Sequence, residues 1–84
     1  MKKLSLEEMQ EIARSLTQKE LERYVIPDDM RGQLALTTLF EGDDRVFVLY
    51  VPAEKRSDAY VIARTRVNAI SGNASVEISG LKEK

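Results

Sequence analysis

Residues 34–51 read LALTTLFEGDDRVFVLYV, two strand-like runs on either side of Glu41-Gly42-Asp43-Asp44. With Gly42-Asp43 at the centre of a tight turn, the runs form a two-residue hairpin. Phe40 then stands opposite Arg45, Thr38 opposite Phe47, Leu36 opposite Leu49 and Leu34 opposite Val51. Alternate residues of a strand point to opposite faces, so this register assigns Leu34, Leu36, Phe40, Phe47, Leu49 and Val51 to one side.

Two further runs follow, AYVIARTRVNAI at 59–70 and ASVEIS at 74–79. Gly72-Asn73 is a second hairpin signal, which sets Ser71 opposite Ala74, Ala69 opposite Val76 and Val67 opposite Ile78. Pro52–Asp58 is a longer connector, and pairing Val51 with Ala59 aligns Leu49 with Val61 and Phe47 with Ala63. The registers, inferred separately, agree on one apolar face, which Val61, Ala63, Val67, Ala69, Val76 and Ile78 complete.

That face needs a cover, and the N-terminal third supplies it. Ser5 and Glu8 form a capping box, with Leu4 and Met9 as its hydrophobic staple. Leu6, Met9, Ile12, Ala13 and Leu16 then recur at helical spacing. Thr17-Gln18-Lys19-Glu20 repeats the capping pattern, so the reading is a helix over about 5–15 and a short second one over about 18–24. A single helix with Glu20 in water is the rival. Pro27, Asp28-Asp29 and Gly32 read as a turn. The expected fold is α+β: a helical segment at 5–24 packed on one face of a four-stranded antiparallel meander at 34–79, all within a single small domain, 1–84.

Composition narrows the function. The 84 residues hold no cysteine and no histidine, which excludes disulfides, thiolate or imidazole metal ligands and any nucleophile relayed through histidine. Two carboxylate pairs, Asp28-Asp29 and Asp43-Asp44, are candidates for Mg²⁺ or acid–base work. Adjacent side chains point apart, however, and Asp is ordinary turn chemistry. The glycines are isolated, so no phosphate-cradling loop is present. No catalytic, cofactor or metal site is expected, and the chain does not read as an enzyme. The residues 18–24, QKELERY, balance Lys19 and Arg23 against Glu20 and Glu22, a poor recognition helix for DNA. No apolar run is long enough to cross a bilayer, and MKKLSLEE has no apolar signal core. A cytoplasmic protein without a membrane partner is the expectation.

The second sheet face is unusual for one in water. Leu39, Val46, Val48, Tyr50, Tyr60 and Ile62 cluster on it, and such a patch points to self-association, a homodimer or another protein partner. Alternatively, the Pro27–Gly32 segment or the C-terminal tail folds over it. Beside the patch stand Arg64 and Arg66. With Lys55 and Arg56, and with Tyr50 and Tyr60 to stack bases, they are candidates for anion or single-stranded nucleic-acid binding. A net charge of −1 disfavours that second reading, because phosphate neutralisation carries most of such affinity. The hairpin register also places Glu77 diagonal to Arg66, leaving Arg64 as the arginine without an assigned partner.

Overall fold

The computed structural model describes residues 3–52 and 60–84. Its elements in chain order are α1 (Leu6–Leu21), β1 (Tyr24–Val25), α2 (Asp28–Arg31), β2 (Ala35–Glu41), β3 (Asp44–Val51), β4 (Tyr60–Asn68), β5 (Ala74–Ile78) and β6 (Lys82–Glu83). The fold is α+β, with α1 packed on a four-stranded antiparallel sheet in the order β2-β3-β4-β5. Two additions were not expected. A single turn of helix occupies 28–31, and β1 pairs with β6 in a small separate ladder, Tyr24 opposite Glu83 and Val25 opposite Lys82.

The helix begins as the sequence predicts, with Ser5 and Glu8 closing a capping box. It does not break at Thr17. One continuous helix runs to Leu21, which corrects the two-helix reading. Thr17 does not cap a new helix; its hydroxyl bonds that of Thr65 on β4. Thr65 is fully buried, so this bond satisfies a hydroxyl that would otherwise be stranded among apolar groups. Glu20 stays near the surface and pairs with Arg23 at 3.2 Å.

The first hairpin has the expected register: Leu36 faces Leu49, Thr38 faces Phe47 and Phe40 faces Arg45. The other two registers differ from expectation. Leu49 pairs with Ala63 and Phe47 with Thr65, two residues from expectation, before an irregularity at Leu49/Tyr50 brings Tyr50 opposite Val61 and Val51 opposite Tyr60. The expected partner of Val51, Ala59, lies outside the described residues. Between β4 and β5 the slip is four: Val67 pairs with Ala74, Thr65 with Val76 and Ala63 with Ile78.

Asn68 causes the larger slip. Its side-chain oxygen accepts from the backbone N–H groups of Ile70 and Ser71 and from the Ser71 hydroxyl. Its own carbonyl accepts from the Gly72 N–H at 2.9 Å. An Asn that gathers the following amides offers the chain a wider loop than a two-residue turn. Gly72 supplies the positive φ of 76° that closes it. Within that loop Ala69 leaves β5 and ties two other segments together. Its N–H donates to the Asp43 carbonyl at 2.8 Å, and its carbonyl accepts from the Leu4 N–H at 2.7 Å.

The core lies between α1 and the β4 side of the sheet: Met9, Ala13, Phe47, Val67 and Ala69, with Leu4 and Ile12 against it. The small Ala63 is buried as well. Leu34, Leu49, Val51, Val61, Val76 and Ile78 are only half-buried. Leu36 and Phe40, expected in the core, are exposed at 61% and 65%. A helix is about 10 Å across and strands lie about 4.8 Å apart, so one helix covers about two strands. Here it lies over β4 and β5 and reaches only the near side of β3.

Replacing Thr17 with Val should leave the Thr65 hydroxyl buried without a partner and lower stability by about 1–3 kcal/mol. The Thr17→Val/Thr65→Val double variant should recover most of that loss in urea unfolding, because neither polar group then remains to be satisfied.

Candidate functional site

Two regions bear on function: the face of the sheet away from α1, and the part of the near face that α1 leaves open. On the far face, Val46, Val48 and Ile62 are each less than a tenth exposed, and Tyr50 is half-buried. They do not present the surface expected of them. Of the six interface candidates only Leu39 and Tyr60 are exposed, at 48% and 41%.

The Arg66 side chain spans part of this face. From β4 it crosses β3 to donate to Asp44 at 2.9 Å and to Glu41, on β2, at 3.3 Å. Arg66 is the cross-strand partner of Val46, and Arg64 that of Val48. The two arginines thus stand beside the two valines across the strand pair. The C-terminal segment contributes at the other end. Ser79 donates its N–H to the Ile62 carbonyl and its hydroxyl to the Val61 carbonyl. The Tyr60 hydroxyl donates to the Gly80 carbonyl at 2.8 Å. Gly80 has φ of 73° and lies so close to Tyr60 that a Cβ there would fall 1.6 Å from the phenol oxygen.

The arginines change places relative to the sequence reading. Glu77 stands directly opposite Arg64, and Ser75 opposite Arg66, because of the four-residue slip. Arg66 is instead held by Asp44 and Glu41. Among the described residues Arg64 makes no ion pair within 4 Å. Lys55 and Arg56 lie outside the described residues. Arg45, which the sequence did not single out, stacks its guanidinium 4.6 Å from the centre of the Phe40 ring and donates to the carbonyls of Gly42 and Asp44.

Asp43 and Asp44 are engaged by different partners. Asp43 binds Lys3 at 2.9 Å. Asp44 accepts from Arg66 through one oxygen and from the Asn68 side-chain amide, at 2.8 Å, through the other. The hydrogen bond from Arg66, then that from Asn68, hold the Asp44 carboxyl below the usual carboxylate range, and the same contact with Asp44 raises Arg66. Asp28 sits at the start of the one-turn α2, near Arg31 at 3.9 Å.

On the near face, the strip beside α1 is open. Leu36, Leu49 and Phe47 form the floor and Ala13, Thr17 and Leu21 one wall of a groove of about 350 Å³. Phe40 continues the apolar floor along β2. The outer edge of β2 has no partner strand among the described residues. Sequence alternation missed this site by assigning Leu36 and Phe40 to the core. The usable signal was the number of strands set against a single helix.

No family model matches the chain, and no curated protein or solved structure does.

Because Asp44 is ionised more readily folded than unfolded, its contribution to stability is present above the ordinary aspartate pKa, about 4. It is lost as pH falls through the lowered folded value. Urea unfolding of Asp44→Asn should therefore show reduced stability at pH 7 and a weaker loss on acidification than the parent chain.

Proposed function

We propose that this chain is a small non-enzymatic interaction domain that works by self-association. One observation supports this reading above the others. Leu36, Leu39 and Phe40 stand 61%, 48% and 65% exposed on a single seven-residue strand with an open edge. Scattered apolar groups on a surface are ordinary, but Leu36 and Phe40 share the face of the apolar groove and Leu39 is exposed on the other, so this open-edged strand offers apolar contact on both sides. The surface differs from the one read in the sequence: it centres on β2 and keeps only Leu39 of the earlier candidates.

The size of the molecule favours the same reading. A compact monomer of 9.5 kDa exposes about 5,000 Å², whereas this chain exposes 6098 Å². The molecule measures 43 × 30 × 17 Å overall, and one face of its sheet is only half covered by α1. Small domains with little core gain stability by association. A cytoplasmic location belongs to this proposal and suits a chain that uses no cysteine.

Single-stranded nucleic-acid binding has less support. Arg66 is engaged by two carboxylates, Tyr60 is tied to Gly80, and Glu77 stands opposite Arg64.

Light scattering should give the mass of a dimer at micromolar to millimolar concentrations. Leu36→Glu or Phe40→Glu should weaken association about tenfold or more, equivalent to ~1.4 kcal/mol or above, and both variants should remain folded by circular dichroism. A monomer at all these concentrations would contradict the reading.

A further inference from the structure

We propose that two copies of this chain join β2 to β2, antiparallel, about a two-fold axis through Thr38, giving one continuous eight-stranded sheet. The proposal rests on self-association and specifies the surface and the register.

The register follows from the first hairpin. Gly42 has φ of 62° and no non-glycine among the described residues has a positive φ, so Gly42-Asp43 is a two-residue turn of the II′ kind, and Glu41 and Asp44 are its closing pair. In such a turn the closing residues exchange hydrogen bonds, and the backbone groups of successive residues alternate from one edge of the strand to the other. Glu41, Leu39, Thr37 and Ala35 therefore direct their amides and carbonyls to β3. Leu36, Thr38 and Phe40 direct theirs outward, to an edge with no partner among the described residues.

An axis through Thr38 overlaps all seven residues of β2 with their copies. It makes three consecutive hydrogen-bonded pairs from the outward groups: Leu36 with the partner's Phe40, Thr38 with the partner's Thr38, and Phe40 with the partner's Leu36. The two most exposed apolar side chains of the strand thus meet each other across the axis, on the same face, where aromatic–aliphatic cross-strand pairs are favourable. On the other face Leu39 meets the partner's Thr37.

Charge is compatible with the same axis. Residues 35–40 carry none, and Glu41 falls opposite the partner's Ala35, so no like charges oppose each other. The strand also lacks the devices that keep edges apart, having no proline, no lysine and no irregularity in its register with β3. Both helices lie on the same side of the joined sheet, and the two open grooves merge between them. The pairing is isologous and closes at two copies.

Two variants test it. The chain has no cysteine, so Thr38→Cys introduces the only thiol. Its Cα and the partner's would stand about 5.5 Å apart, within disulfide range. Mild oxidation should convert most of this variant to a covalent dimer, whereas Ser75→Cys, on the opposite edge strand, should stay monomeric under reducing-free electrophoresis. Thr38→Pro removes an outward amide that the monomer does not use. It should give a monomer by light scattering with unfolding close to that of the parent. A parent chain that is dimeric while Thr38→Cys does not cross-link preferentially overturns this pairing and leaves self-association standing. A parent chain that is monomeric at millimolar concentration overturns both, and leaves the β2 edge to a strand from a different protein. The cross-linking arm reads the register whether or not Thr38→Pro folds.

Discussion

One helix cannot cover four strands, and most of what distinguishes this molecule follows from that limit. At about 10 Å across, α1 spans roughly two strand spacings. It lies over β4 and β5, where Met9 and Ala13 meet Val67 and Ala69. The rest of the near face is left to Leu36, Phe40 and Leu49. These residues have the side-chain phase of a core without its cover. The open strip is therefore a consequence of fold geometry, and the bare edge of β2 gives it a direction in which to be completed.

Polar contacts hold the covered half in place. Asp44 takes Arg66 and Asn68 on its two oxygens, Asn68 organises the loop after β4, and Ala69 in that loop bonds both the first hairpin and the start of α1. Turn, loop and helix entry are thereby tied at one end of the sheet. At the other end Ser79 and Gly80 fasten the C-terminal segment to β4 through Ile62 and Tyr60. Arg66, which looks functional in the sequence, takes part in this framework by reaching across β3 to Glu41, and Arg45, which the sequence did not single out, lies over Phe40. Arg64 stands opposite Glu77.

The α+β class, the strand order and the first hairpin's register were legible because alternation and a Gly-Asp turn specify them directly. Face assignments were legible too, and up to the irregularity at Leu49/Tyr50 they survived wrong registers, since slips of two and four residues preserve the period of two. The slips themselves were not legible. Asn68 outcompeted Gly72-Asn73 through side-chain bonds that composition does not reveal, and the connector before β4 does not pin a register. Thr17 has the pattern of a helix cap, yet its hydroxyl serves Thr65 across the core, which only tertiary contact decides. The exposure of Leu36 and Phe40 was hidden for a related reason: periodicity shows which face a residue takes, not how far a helix reaches across that face.

Amide hydrogen exchange along β2 tests the central claim most directly, because it reads each backbone group separately. The amides of Thr37 and Leu39 point to β3 and should be protected at every concentration. Those of Leu36, Thr38 and Phe40 should exchange fast in dilute solution and gain protection together as concentration rises through the dimerisation range. Outward amides that stay fast at millimolar concentration would contradict the account.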